Sequence, residues 1–586
     1  MTTPNRNPAG AAKIIVRRAL DDNIPDTLPA GIHPVLRRAY LARHVYSARD
    51  LDRSAERLLA PSQLKGIDTA TALLAEALAK RERILVVADF DADGATSCAL
   101  VVRALRDMGA RDVDYLVPNR FDFGYGLTPE IVALAAQRDP NVIITVDNGI
   151  SSVDGVAAAR ALDIRVLITD HHLPGPCLPV ADAIVNPNQP GDTFESKNLA
   201  GVGVAFYLMA ALRARLRAAD WFATNDLPEP KLANLLDLVA VGTVADLVSL
   251  DRNNRILVSQ GLARIRAGLA LPGIRALLQV AGRRIEHLCA TDLGFFVGPR
   301  LNAAGRLADM SLGIECLLTD DDSAASSMAG QLDSLNRERR AIEAEMQQQA
   351  MAVIQGLRFD GAQLPHGVCL YDPDWHQGVI GLVASRVKDR VHRPVIAFAP
   401  GSEDEIKGSA RSIPGLHIRD ALDAVAARHP GLLTRFGGHA MAAGLTLPRV
   451  HFERFRDAFD DEVKRQVSDD ELEGKIWSDG ELSDDDLNLD VAAALRDAGP
   501  WGQNFPEPLF DGVFDVVQRN VVGERHVKLG LRQQGSKRLE AIAFQFAPDG
   551  TVPQWERIRA AYRLDINEYR GTRALQLVLE HIEPLA

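Results

Sequence analysis

Three short β-favouring runs, Ile84–Ala88, Val142–Val146 and Val166–Thr169, each break off into a cluster of acidic or imidazole side chains. The clusters are Asp89-Phe90-Asp91-Ala92-Asp93-Gly94, Asp147-Asn148-Gly149 and Asp170-His171-His172. A fourth, Ala245-Asp246, closes a helical pattern over residues 229–245, which follows another over 201–217. Between the runs lie amphipathic helical patterns, Ala95–Met108 and Pro129–Gln137, and one more strand pattern, Val113–Val117. That alternation predicts an α/β domain built on a parallel sheet, with functional groups collecting where strands pass into loops. Carboxylates and imidazoles at neighbouring strand ends converge readily on one point, which is what a pair of divalent ions needs. The expectation is a metal-dependent hydrolase.

Bulk properties narrow the classes. The 586 residues are 47 % hydrophobic and 25 % charged, and at roughly 100–200 residues per domain they predict three or four folding units. Cys98, Cys177, Cys289, Cys316 and Cys369 stand singly with no C-x-x-C pair, so neither a zinc knuckle nor a disulfide framework is expected. A reducing, cytoplasmic setting fits. Residues Met1–Arg6 open no signal-like apolar stretch and no run of about 18 uncharged apolar residues follows, so neither secretion nor a membrane is expected. The net charge of −12 argues against a broad basic surface coating nucleic acid, but leaves room for a narrow basic channel. The acidic runs Ser468–Glu471 and Ser483–Asp486 read as solvated linker or turn.

Residues 1–80 read as a helical N-terminal region, with helical spacing at Leu36, Ala39, Tyr40 and Ala42 and again at Ala70–Leu78. The α/β catalytic domain follows over 81–322. Residues 323–357, free of proline and rich in Glu, Arg, Gln and Ala, read as a long connector helix. A smaller α/β domain is expected over 358–468. In the last region, 469–586, the strand patterns Phe510–Val517, Val527–Leu531, Leu539–Phe546, Tyr562–Ile566 and Leu575–Ile582 suit a small β-barrel. The OB-fold, a holder of single strands, is the candidate.

The clusters differ in what they say alone. Asp91 and Asp93 are two apart, so in an extended segment their side chains leave one face in phase with Asp89, and Gly94 lets the chain turn away. The same D-x-D-x-D-G pattern also suits a calcium-like loop or a helix cap. Asp147 adds a candidate bridging carboxylate, although Asp-Asn-Gly is also an ordinary turn. In Asp170-His171-His172 the adjacent imidazoles point in different directions, so one can ligate an ion while the other faces substrate. A structural histidine pair is the plainer alternative, but three carboxylate clusters at other element ends accompany this one.

Together with Gly242–Asp246, these clusters resemble the DHH phosphoesterase superfamily. Trp375–Gly381, Gly408–Ser412 and Phe436–His439 resemble its associated second domain. Pro118–Phe121, Gly124–Gly126, Pro299–Arg306 and Asn567–Gly571 narrow the resemblance to the superfamily's bacterial single-strand-specific exonucleases, over nearly the whole chain from about residue 30. Phe90 is a small departure, since many members have tyrosine there.

The resemblance implies two divalent cations, Mn²⁺ or Mg²⁺, held by Asp91, Asp93, Asp147, His171 and Asp246, with Asp147 bridging. Hard carboxylates joined by one imidazole suit Mn²⁺. Asp89 and Asp170 are implied as supporting catalytic residues, and His172, His376 and His439 as contacts to the scissile phosphate. Arg120, Ser409 and Arg411 resemble the pocket for a terminal 5′ phosphate, a dianion suited to an arginine fork, with Gly438, Arg300 and Arg306 further along the substrate path. The implied activity is hydrolysis of single-stranded DNA from 5′ to 3′ to 5′ mononucleotides, in DNA repair, recombination and mismatch repair. A helicase and a single-strand-binding protein are the partners that family analogy implies. Two alternatives stand beside it: a DHH phosphatase or oligonucleotidase of short substrates, and a non-catalytic single-strand-binding scaffold. The barrel region argues against the first and the full set of ligand-type residues against the second. Phe544 and Phe546 read equally as stacking residues and as barrel core.

Overall fold

The computed structural model describes residues 13–21, 23–118, 126–359, 364–401, 404–523, 526–533, 537–544, 546, 554–569 and 572–585. The chain divides into two compact units: Asp21–Asn336 with Ala493–Glu507, and Met1–Leu20 with Arg337–Ala492 and Pro508–Ala586.

The first unit is organised by a five-stranded sheet in the order Val113–Leu116, Ile84–Ala88, Val142–Val146, Arg165–Thr169, Ala183–Val185, every pairing parallel. Ile84–Ala88 and Val142–Val146 are buried at every residue. Their side chains alternate between two cores: Ile84, Val86, Ala88, Val142 and Ile144 on one face, Leu85, Val87 and Ile143 on the other. A strand buried on both faces has no room for charge within its length, so polar groups gather past its end. In chain order the sheet runs second, first, third, fourth, fifth, and its direction of winding switches between Ile84–Ala88 and Val142–Val146. Such a switch leaves a crevice beyond the carboxyl ends of those two strands. Asp89 and Asp147 stand there.

The helices expected over 201–217 and 229–245 are Gly201–Ala218 and, after a 3-10 turn Leu232–Leu235, Leu236–Ala245. Residues Ala493–Glu507 belong to this unit rather than to the barrel region. Tyr40 donates its hydroxyl to the Ala498 carbonyl at 3.1 Å, Arg43 donates to the Pro506 carbonyl at 2.6 Å, and Trp501 stacks on Phe505. A run of helix-period residues cannot show which core it will join.

The helices read within residues 1–80 are present as Pro34–Leu41 and Ile67–Lys80, but the second unit corrects the reading at one segment. Lys13–Arg17 is a strand, paired in parallel with Gly474–Ser478. Its Ile14-Ile15-Val16 run has β character, but its partner is far along the chain and no local pattern reports it. A five-stranded sheet, Arg435–Gly438, Ala442–Pro448, Glu405–Arg411, Val395–Pro400 and Val368–Tyr371, is antiparallel except for its last pairing. The barrel strands Phe510–Val522, His526–Arg532, Leu539–Ala543, Thr572–Leu585 and Arg557–Tyr569 pair in that order, and the last pairs back on the first. The helix Asp322–Phe359 crosses the division between the units. Asp321 caps it by accepting the Ser323 and Ala324 amides.

Candidate metal centre

The Asp89–Gly94 loop is not the extended segment that its two-residue spacing predicts. Asp91 is the N-cap of the helix Ala92–Asp107, accepting the amides of Asp93 at 2.9 Å and Gly94 at 3.0 Å. Asp93 therefore lies in the first helical turn, and the extended reading is corrected in favour of the helix cap: capping by Asp91 starts the helix at Ala92, three residues before the expected Ala95. Asn302 accepts the Ala92 amide at 2.8 Å. Asp93 is 1 % exposed and accepts the Gly201 amide at 2.6 Å and the Val202 amide at 2.9 Å. Those are the first amides of an 18-residue helix, whose positive end steadies the carboxylate. Gly94 is required by contact rather than by turning, since a Cβ there would collide with the Asp89 carbonyl.

Asp147 is buried with φ of +62°, a left-handed conformation that a turn straight off a strand end imposes. Gly201 lies so close that a Cβ would sit 2.7 Å from the Asp147 Cβ and Oδ1. The buried Asn148 amide donates to the Val87 and Val146 carbonyls and so locks the two strand ends to one another. Asp170 is spent on orientation. It accepts the amides of Ile150, His171 and His172, and its Oδ1 lies 2.8 Å from His172 Nδ1. Asn186 donates to the His172 carbonyl and Asn188 to the His171 carbonyl. His171 Nε2 lies 3.1 Å from Asp147 Oδ1 and 3.5 Å from Asp246 Oδ2.

Three sets of donor atoms each lie within 4.8 Å of one another: Asp89, Asp91 and Asp147; Asp147, His171 and His172; Asp93, His171 and Asp246. Asp147 and His171 each occur in two sets, so the five expected ligands do converge. Asp89, expected as a supporting residue, stands among the possible ligands. Burial, then the neighbouring Asp91, pushes the Asp93 carboxyl up to about 7. Burial and the Asp93 and Asp91 charges likewise raise Asp147 and Asp246 well above the usual carboxylate range. Asp170 is the exception: although burial opposes ionisation, its bond with His172 holds it below that range. His172 is correspondingly raised; burial works against its charge, but the hydrogen bond to Asp170 together with the Asp170, Asp89 and Asp91 charges outweighs burial. A buried group of carboxylates that repel one another, with imidazole beside them, fits a pair of hard cations. Cations relieve the repulsion that protons otherwise would.

Of the other expected site residues, Arg120 lies outside the described residues. In the second unit Ser409 and Arg411 share one face of Glu405–Arg411, and Arg411 donates to the Ser409 hydroxyl at 3.0 Å. A Cβ on Gly381 would stand 2.8 Å from Arg411 Nη2 and 2.9 Å from Ser409 Oγ, which puts the N-terminus of the helix Ile380–Val391 against both. The His376 Nδ1 accepts the Gly378 amide at 3.1 Å, and the His439 amide donates to the Ala442 carbonyl. Gly438, at φ of +146°, touches Ala443 so closely that no side chain fits. Arg300 is 9 % exposed and committed elsewhere: its Nη2 lies 2.7 Å from Asp333 Oδ1 and its Nη1 donates to the Phe296 carbonyl. Arg306 is in the last turn of the same helix, Gly298–Leu307. Sequence reasoning missed Asn186 and Asn188, although Asn186-Pro187-Asn188 directly follows a sheet strand. It also assigned no role to Asn148, Asn302, Gly201 or Gly381.

A sheet of this order, ending in carboxylate and imidazole clusters, defines a phosphoesterase of the DHH class. The DHH family N-terminal domain matches residues 83–243, the DHHA1 domain residues 364–465 and the RecJ OB domain residues 478–581. The chain is 54 % identical to the single-stranded-DNA-specific exonuclease RecJ of Dickeya dadantii, over 97 % of this chain and 98 % of that one. Its structure is similar to that of RecJ from Thermus thermophilus in complex with Mn²⁺, with a TM-score of 0.78, 31 % identity and coverage of 95 % of this chain and 76 % of that one. The Mg²⁺ complex of the same protein gives 0.72, 30 % identity and coverage of 95 % and 75 %. The chain belongs to the RecJ family of single-stranded-DNA-specific exonucleases.

Proposed function

We propose that this chain digests single-stranded DNA from its 5′ end, releasing 5′ mononucleotides by two-metal-ion hydrolysis. The observation that carries the reading is the convergence of Asp89, Asp91, Asp93, Asp147, His171 and Asp246 at the winding switch of the sheet. When bound, Mn²⁺ or Mg²⁺ lowers the pKa of water and offsets charge developing on the phosphate. The chain supplies the rest. Asp91, Asp93, Asp147, His171 and Asp246 would hold the two ions, with Asp147 shared between donor sets and Asp89 in support. Asp170, fixed by three amides, holds His172 Nδ1 and so aims Nε2 at the scissile phosphate.

Ser409 and Arg411, with Arg120, are assigned the terminal 5′ phosphate. Supporting this, a hydroxyl, a guanidinium and a helix N-terminus meet in one place, a combination suited to a dianion. His376 and His439 are assigned phosphate contacts, and Gly438 and Arg306 the strand's path. Arg300 is assigned to positioning, because its guanidinium is already held by Asp333. By family analogy a helicase and a single-strand-binding protein are the proposed partners, in the cytoplasm, in repair and recombination. Among the described residues no helix is long and apolar enough to cross a membrane.

An oligonucleotide labelled at one end at a time, single- or double-stranded, tests the polarity with Mn²⁺. Early release of a labelled 5′ mononucleotide from the single strand is expected. Release starting at the 3′ end defeats the assignment of Arg411 and Ser409.

A further inference from the structure

Two large apolar side chains that the fold leaves in solvent lie on segments that meet at the end of the Asp246-bearing helix. Leu247, the next residue, is 69 % exposed and held at φ of +61°, a backbone conformation that leucine rarely adopts. Phe295 is also 69 % exposed. It lies in a π-helical turn, Leu293–Val297, of a type that recurs at functional sites. Two glycines press that turn against the end of the Asp246-bearing helix. A Cβ on Gly294 would stand 3.2 Å from Val244 Cγ1, and one on Gly298 would stand 2.9 Å from Ala245 Cβ.

The turn is also anchored from behind. Leu293 and Val297 are fully buried, Arg283 packs over the Phe296 ring at 3.5 Å, and Arg300 holds the Phe296 carbonyl while pairing with Asp333. A turn anchored on both sides, packed against the end of the helix that carries Asp246 and exposing one aromatic ring, is built to offer that ring to something flat and apolar. Leu173, 61 % exposed, follows His172 in the same manner. Solvent exposure of three such side chains next to charged ligands is costly for a surface with no occupant.

We propose that Phe295 is a stacking platform for one nucleobase of the strand being cut, with Leu247 beside it. This inference rests on the single-strand exonuclease reading of the same site. Stacking on a fixed ring accepts every base and requires an unpaired one, since a base inside a duplex has both faces covered. The platform therefore selects single strands without reading sequence.

The test uses the full-length protein with Mn²⁺ and oligonucleotides carrying one abasic site, stepped residue by residue from the 5′ end. For the parent, kcat/KM is expected to fall about tenfold when the missing base is the one that meets the platform. Phe295→Ala and Phe295→Leu are expected to lose about tenfold on the intact strand and to show no further loss at that abasic position, while Phe295→Trp keeps the sensitivity. Unchanged Mn²⁺ binding and thermal unfolding show that the centre is intact; Phe295→Leu, close in size, serves where Phe295→Ala unfolds. The proposal is overturned if Phe295→Leu digests the intact strand as fast as the parent, or keeps the parent's abasic sensitivity. A parent that leaves intact single strands undigested overturns the exonuclease reading instead.

Discussion

The parallel sheet of the first unit and the barrel of the second present β-structure in opposite ways. Ile84–Ala88 and Val142–Val146 bury every residue, whereas Leu539–Ala543 alternates buried with half-buried positions and the end of Phe510–Val522 is largely exposed. A doubly covered sheet can place chemistry only past its strand ends, so a few side chains there carry most of the effect. A barrel with one solvated face spreads its contacts along the strands, and each contributes little. Phe544 illustrates the second case. It is half exposed, lies edge-on to His526, and follows a strand whose Leu539, Ala541 and Ala543 form the buried side, so it is not core.

The largest effect expected from this contrast is at Asp147. Asp147→Ala removes a carboxylate shared by two donor sets and should slow digestion by roughly 10³-fold or more, with Mn²⁺ uptake by calorimetry reduced in parallel. A rate within tenfold of the parent breaks the idea that strand ends concentrate the chemistry.

Next in size is Asp170→Asn, which keeps the shape and loses the charge that orients His172. A decrease of roughly 10- to 100-fold in kcat is expected, with KM little changed, in steady-state assays on a single strand. If KM rises while kcat holds, His172 serves binding and the orientation argument fails.

On the barrel side, Phe544→Ala should weaken single-strand affinity by about five- to tenfold in an anisotropy titration. A loss comparable to that at Asp147 would erase the contrast between the two regions.

The smallest effect is one of stability. Asp511 is 1 % exposed; burial opposes its ionisation, but hydrogen bonds from Arg17, Ser478 and Arg559 outweigh burial and hold its carboxyl below the usual range. A depressed folded value means that stability is gained above the unfolded value and lost as pH falls through the folded one. Asp511→Asn should therefore cost roughly 1–2 kcal/mol near neutrality, limited by the exposed Arg17 partner, and the gap to the parent should shrink below about pH 4. Thermal unfolding at stepped pH measures it, and a gap that widens in acid contradicts the assigned pairing.

Legibility in the sequence followed the range of the interactions. Three of the acidic and histidine clusters were readable because a buried strand is a local apolar run whose end is marked by the first charge, and the fourth because Asp246 closes an apolar helical run. The same local logic left Asp91 and Asp93 open between an extended pair and a helix cap, and the structure takes the cap. It also missed the Lys13–Arg17 strand, whose partner is remote, and it gave no sign of the Asp333 carboxylate that Arg300 pairs with. Asn186 and Asn188 escaped notice because their work is done on the backbone of His172 and His171, which no motif spacing encodes.

What the chain's residues determined alone was the inventory: which carboxylates and imidazoles were available, and the alternating strand and helix periods that had to put them at loop positions. Side-chain periodicity is a property of a few consecutive residues, so it survives without tertiary context. The tertiary structure alone decided which of those groups meet, which are buried so deeply that their carboxyls are raised, and which side chains remain exposed nearby. Those outcomes depend on parallel pairing between strands and helices far apart in the chain, and on the loss of water that their packing causes.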